Sequence, residues 1–291
     1  MEKNNAHQDL VRDLKFYPLG VKEPIILSKI DIKNYNEFGY IYPKKIFSKL
    51  EVKKIKQYFE IILAKAIESG WNSYEIHNWH KHCEGIYEIV TENRIVDIVQ
   101  DLLGESVIMR ASQFFVKLPG DKKQVSWHQD ASFWPLSKSR SVSVWLAVDE
   151  VNNDNGAMQF IPSSHLESQI PYFDTKIDEI NVLNQTVINA EKYGGKPVSV
   201  ELKPGEISLH SDWTLHRSGM NLSKNRRAGL VIRFVSNDVK AFKGWNEHSV
   251  ICRGKDPSGH WANNIKPTGE TIPQKIDSGI TEIPIYAQGT N

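Results

Sequence analysis

Val125-Ser126-Trp127-His128 is a short β-rich run that follows a Pro119-Gly120 turn signal, and Gln129-Asp130 after it completes a His-x-Asp pair. On a β-strand, residues two apart point to the same face, so His128 and Asp130 can grip one ion from one side. A third, distant histidine would complete a two-histidine, one-carboxylate facial triad. That set holds iron(II) and leaves positions open for a co-substrate and oxygen. Leu215-His216-Arg217-Ser218-Gly219 offers the histidine 88 residues after His128, and Arg227 follows His216 by eleven.

The pair alone is weak evidence, because His7/Asp9, His82/Glu84, His165/Glu167 and His210/Asp212 show the same spacing. Its surroundings single it out. It closes a predicted strand where a barrel mouth would lie, and His216 follows another predicted strand. Arg227 begins an apolar strand, where a buried guanidinium can clamp a carboxylate in bidentate fashion.

Working outward, Ser106–Lys117, Ser141–Val148, Ala157–Ile161, Val198–Leu202, Glu206–His210 and Arg227–Val235 read as further short strands. Asn155-Gly156, Pro162 and Pro204-Gly205 punctuate them. Such spacing predicts a sandwich or barrel. Before it, Leu50, Val52, Ile55, Tyr58, Phe59, Ile62 and Ala66 recur at helical spacing, predicting a helix capped by Ser48 and stopped by Gly70. A second helix is expected over Ile86–Leu103, ended by Gly104. Gly39–Tyr42 reads as a strand closed by Pro43, and residues 1–24 as a loosely ordered lead-in. The expected organisation is one catalytic domain, 1–291. Residues 1–104 give helical support, 105–236 the β core with an insertion at about 165–197, and 237–291 a wrapping tail.

The 291 residues, 40% hydrophobic and 24% charged, are those of a globular protein able to bury a sizeable core. A net charge of +1 gives no reason to expect nucleic acid as a partner. Cys83 and Cys252 form no disulfide framework and read as free thiols in a reducing cytosol. No signal peptide or membrane span is evident, so a cytoplasmic location is expected.

Taken together, these segments resemble the phytanoyl-CoA dioxygenase family. The likeness is carried by Trp127–Asp130, Val144-Trp145-Leu146-Ala147-Val148-Asp149 and Asn155–His165. It continues through Pro204-Gly205-Glu206, His216-Arg217-Ser218-Gly219-Met220-Asn221 and Asn225-Arg226-Arg227. The resemblance implies a mainly β fold with flanking helices around a double-stranded β-helix (jelly-roll, cupin-like) core. It also implies iron(II), 2-oxoglutarate and O2 as cofactor and co-substrates. Carried over by position, His128, Asp130 and His216 match the iron ligands, and Arg227 matches the partner of the distal 2-oxoglutarate carboxylate. Ser218 matches the hydroxyl two residues after the distal histidine, among the co-substrate-binding positions. Gln113 and Trp145 match pocket-lining positions, Trp134 an aromatic near the site, and Lys81 or His82 a basic pocket residue. His210 is the rival third ligand, but no Ser-Gly follows it. Arg226 is the rival anchor, and strand alternation turns only one of the pair inward. Arg233 shares the parity of Arg227 and reads as part of a buried ion pair. His165 reads as a turn residue, and Trp127 as packing at the barrel mouth.

The implied reaction couples decarboxylation of 2-oxoglutarate to oxidation of a small-molecule substrate. Asp130 supplies the carboxylate that halogenating relatives lack, which points to hydroxylation. Desaturation, cyclisation and epoxidation use the same ligands. The expected substrate is a natural-product or amino-acid-derived metabolite, free or acyl- or carrier-linked. The alternatives of another class are a non-redox metalloprotein and a silent cupin-like binding protein.

Overall fold

The computed structural model describes residues 2–3, 6–175 and 180–275. Positions 176–179 of the expected insertion and 276–291 of the expected tail lie outside them. Four principal helices, α1 (Lys29–Phe38), α2 (Lys49–Glu68), α3 (Glu84–Val90) and α4 (Asn93–Leu103), flank two antiparallel sheets.

The strands of those sheets are β1 (Tyr40–Lys45), β2 (Val107–Lys117), β3 (Val125–His128), β4 (Ser141–Ala147) and β5 (Met158–Phe160). They continue with β6 (Val198–Val200), β7 (Glu206–Ser211), β8 (His216–Ser218), β9 (Arg227–Val235) and β10 (Val250–Arg253). The major sheet runs β10-β2-β9-β4-β7-β1 and the minor sheet β3-β8-β5-β6. The two sheets make the jelly-roll.

Why these segments fold this way is visible in their periodicity. Every residue of β9 is buried, yet its two faces differ in chemistry. Ala228, Leu230, Ile232 and Phe234 join one apolar layer with Phe59, Ile62 and Leu63 of α2 and Ile95, Val99 and Leu102 of α4. The other face carries Arg227, Gly229, Val231 and Arg233. The strands beside it repeat this division. Val142, Val144, Leu146, Ile207 and Leu209 face the helices. Ser141, Ser143, Ser208 and His210 alternate with them and are buried on the opposite, barrel side. A buried face rich in polar groups is costly unless something binds there.

Local signals set the helices. Ser48 accepts from the Glu51 amide while the Glu51 carboxylate accepts from the Ser48 amide, a reciprocal cap that starts α2. The predicted second helix is two. Thr91 ends α3, and Glu92 caps α4 by accepting from the Arg94 amide. β1 runs on through Pro43, which an edge strand tolerates because its outer amides need no partner. The lead-in is pinned to the barrel: Arg12 donates to the Ala131 and Leu136 carbonyls, and His7 donates to the Phe133 carbonyl. β10, inside the expected tail, pairs with β2 and extends the major sheet.

Candidate metal centre and co-substrate pocket

His128 and His216 lie directly opposite each other across the β3–β8 pair, with ring centroids 4.0 Å apart. The chain leaves the strand after His128, and Asp130 opens a single helical turn, Asp130–Phe133. The expected strand Val125–His128 is observed, but the expectation that strand parity sets His128 and Asp130 on one face is corrected. The turn, not strand parity, brings the carboxylate back to the imidazoles. Asp130 Oδ1 is 3.6 Å from His128 Nε2 and 4.0 Å from His216 Nε2. One ligand atom from each of the three buried residues lies within 4.8 Å of the others.

The far ring nitrogens explain how the rings are oriented. His128 Nδ1 donates to the Ser126 carbonyl and His216 Nδ1 to the Thr214 carbonyl, each at 2.9 Å. Both Nε2 atoms therefore carry lone pairs toward Asp130, the arrangement a metal-binding histidine requires. Asp130 Oδ1 is buried and accepts no hydrogen bond. Burial, reinforced by His128, holds His216 well below the usual imidazole value and so neutral. A buried carboxylate oxygen without a donor, facing two lone pairs, suits a divalent cation, and these donors match an iron(II) facial triad.

His210, the rival, is also buried, and its Nε2 is 4.0 Å from the other Asp130 oxygen. Its Nδ1 has no hydrogen-bond partner, so nothing fixes its tautomer. Ser143 Oγ donates to that same Asp130 oxygen at 3.3 Å.

Along β9 from this centre, Arg227 is 2% exposed, and its Nε has no hydrogen-bond partner among the described residues. Burial lowers its pKa to about 10, with the Tyr74 and Asp121 side chains opposing that shift. Its guanidinium lies 5.4 Å from the centre of the Trp145 ring. Arg226 turns outward to Asp149 and Glu60. Gln113 is buried opposite Val231, with its amide nitrogen donating to the Tyr74 carbonyl and its Oε1 unpaired. Ser218 is buried on the same face of β8 as His216. Lys117, which lies opposite Arg227, was missed in the sequence. Its ammonium donates to the Lys123 and Gly219 carbonyls, and burial and Arg227 lower its pKa to about 7.

Other residues lie elsewhere. Trp134 is fully buried under the Arg110 guanidinium, 3.8 Å from ring centre to Cζ. Trp127 packs beneath Arg217. His165 bonds the Asn36 carbonyl and meets Phe16 edge-on, a structural role. Lys81 approaches His248 at 3.4 Å, and His82 is exposed. Arg110, Asp212 and His77 also face this interior. Only a bulge in β2, invisible to alternation, brings Arg110 there.

The comparisons agree with this geometry. The phytanoyl-CoA dioxygenase (PhyH) family matches residues 35–229. A probable alpha-ketoglutarate-dependent hypophosphite dioxygenase of Stutzerimonas stutzeri is 27% identical over 227 residues, 71% of this chain and 78% of that protein. A methylphosphonate hydroxylase of Gimesia maris is 22% identical, covering 72% and 80%. The solved structure of EctD from S. alaskensis with 2-oxoglutarate and 5-hydroxyectoine has the same fold, with a TM-score of 0.68 at 18% identity over 92% and 94% of the two chains. No helix among the described residues is long and apolar enough to cross a membrane. With a buried His-Asp-His cluster at the barrel mouth and a family match across most of its length, the chain belongs to the phytanoyl-CoA dioxygenase family and is an iron(II)- and 2-oxoglutarate-dependent dioxygenase.

Proposed function

We propose that His128, Asp130 and His216 hold the iron, that Arg227 anchors the distal carboxylate of 2-oxoglutarate, and that the enzyme hydroxylates an unactivated C–H bond of a small-molecule metabolite. The bound iron and co-substrate supply the oxidising power, one oxygen atom of O2 leaving in succinate as CO2 is released and the other entering the substrate. The chain's own residues position and shield. The Ser126 and Thr214 carbonyls hold the two ligand rings in register. Arg227 offers a guanidinium whose Nε is unpaired, with Trp145 close to it and Ser218 and Gln113 completing the pocket. Trp134 stacks against the Arg110 guanidinium and is not part of this pocket. We read the whole chain as one catalytic domain, the helices bracing the outer face of the major sheet and the C-terminal segment adding β10 to its edge.

The observation that carries this reading is Asp130 Oδ1, buried, without a donor and facing two oriented Nε2 atoms. The substrates named for two relatives, hypophosphite and methylphosphonate, support a small substrate. A metabolite screen for substrate-stimulated succinate release tests the proposal. Asp130→Ala should abolish both iron retention and succinate, and an unaltered rate would refute the ligand assignment.

A further inference from the structure

Building on the proposed iron site, we propose that Arg110, with Arg233 and His77 beside it, forms a subsite for an oxyanion on the substrate, so that the natural substrate is a small phosphonate-, phosphinate- or carboxylate-bearing metabolite. Arg110 is 1% exposed, and its Nε and Nη2 are buried without a hydrogen-bond partner among the described residues. Leaving the nitrogens of a buried guanidinium without hydrogen-bond partners costs several kcal/mol. Stacking on Trp134 at 3.8 Å offsets only about 2 kcal/mol of that.

The backbone takes trouble to put it there. In the β2–β9 pair, Arg233 faces Ala111 and Phe234 faces Met109, so Arg110 is the extra residue of a bulge. Strict alternation from Lys117 would turn Arg110 toward the helices. The bulge aims it into the barrel instead, a use of bulges common beside active sites.

Neither nearby acid hydrogen-bonds to it, although burial and the Arg233 charge, which disfavour its cationic form, are opposed by the charges of Asp130 and Asp212. Asp130 faces His128 and His216, and Asp212 accepts from Ser139 while its own second oxygen stays unpaired. A second cation approaches the same indole, with Arg233 Cζ 5.5 Å from the Trp134 ring centre. His77, bridged to Gln113, adds a buried Nε2 with no partner. Arg110 and His77 thus bring unpartnered buried nitrogens together beside Arg233, and a bound oxyanion would supply an acceptor for them. The group is separate from the co-substrate anchor. Arg227 and Arg233 lie six residues apart on one strand, roughly 20 Å. That leaves the metal cluster room between an anchor for the co-substrate and one for the substrate.

The test is calorimetric titration of the full chain, metal-free and as the anaerobic iron(II)–2-oxoglutarate complex. The probes are methylphosphonate, acetate and the neutral dimethyl methylphosphonate. One of the anions should bind in 1:1 ratio in both forms, and the neutral ester should not. Whichever of methylphosphonate and acetate binds more tightly identifies the head group. Arg110→Met should weaken anion binding by roughly tenfold or more, as expected for loss of charge-assisted hydrogen bonds. Its 2-oxoglutarate affinity should stay at the wild-type value, which also reports an intact fold. Arg110→Lys, which keeps the charge, should fall between the two. Binding of the ester as tightly as the anions, no anion binding to wild type, or anion affinity unchanged in Arg110→Met would each overturn the subsite. Failure to retain iron with Arg110-dependent anion binding preserved would instead sink the ligand assignment.

Discussion

Two imidazoles, His210 and His216, are presented to the Asp130 carboxylate at the same 4.0 Å, and the far nitrogen of each ring tells them apart. His216 has its tautomer fixed by the Thr214 carbonyl, whereas His210 does not. His216→Ala is therefore expected to lose bound iron. His210→Ala should keep one equivalent, because it removes only a neutral ring whose pKa burial has lowered to about 4. Metal analysis of the two purified variants decides, and equal loss in both would make His210 a ligand. The anchor is as specific. Lys at position 227 carries the charge but cannot form the two parallel bonds of a guanidinium. Arg227→Lys should raise the KM for 2-oxoglutarate by roughly tenfold to a hundredfold, the value of a lost charge-assisted hydrogen bond. An unchanged KM would move the anchor elsewhere. These candidates stood out from the sequence by their surroundings, the strand ends beside them and the eleven-residue step from His216 to Arg227, together with the family resemblance. The neighbouring carboxylate Asp212, pushed up to about 7 by burial, did not. It sits in a His-x-Asp match that looks no different in sequence from His7/Asp9.

Single positions matter at the scale of a strand because β9 lies between a helix layer and a binding cavity. A Cβ at Gly229 would lie 2.0 Å from Trp145 Cζ2, so the missing side chain is what lets the indole cross β9 toward Arg227. Gly229→Ala should cost about 1–3 kcal/mol by overpacking, although alanine is otherwise the better strand residue. It should also raise the KM for 2-oxoglutarate by shifting the indole. Thermal melts paired with kinetics test this, and a stabilised variant with wild-type KM would show the contact to be slack. The legibility of the elements follows their signals. The Ser48…Glu51 reciprocal cap and the 3.6-residue stripe made α2 readable to within a residue of its observed bounds. The break between α3 and α4 has no Gly or Pro to announce it, since Glu92 caps through its own side chain. Asp130 was grouped with His128 by an argument that assumed a strand, while the fold brings the two together through a helical turn. The bulge at Arg110 left no trace, because the hydrophobic alternation of β2 reads continuously on either side of it.

Across the whole molecule, buried histidines clasp distant segments together and make folding sensitive to acid. The two ring nitrogens of His80 lie 2.7 Å from Ser112 Oγ and 2.7 Å from the His248 carbonyl, tying β2 to the C-terminal segment. His165 ties the turn after β5 to α1 through the Asn36 carbonyl. Burial lowers both rings to about 4, against the pull of those carbonyls. The unfolded chain therefore takes up protons on these rings as pH falls below about 6.5, while the folded chain resists until near 4. The contribution of each ring is complete above the higher value, declines through that window and is spent below the lower one. At pH 5 the loss is ~2 kcal/mol per ring. The urea midpoint of the metal-free protein should accordingly fall between pH 7.5 and pH 5. His80→Gln, which keeps a hydrogen-bonding side chain but cannot titrate, should show a shallower fall. A variant whose midpoint follows pH as steeply as wild type would mean that His80 is solvated in the fold and that the clasp between β2 and the C-terminal segment is made by other groups.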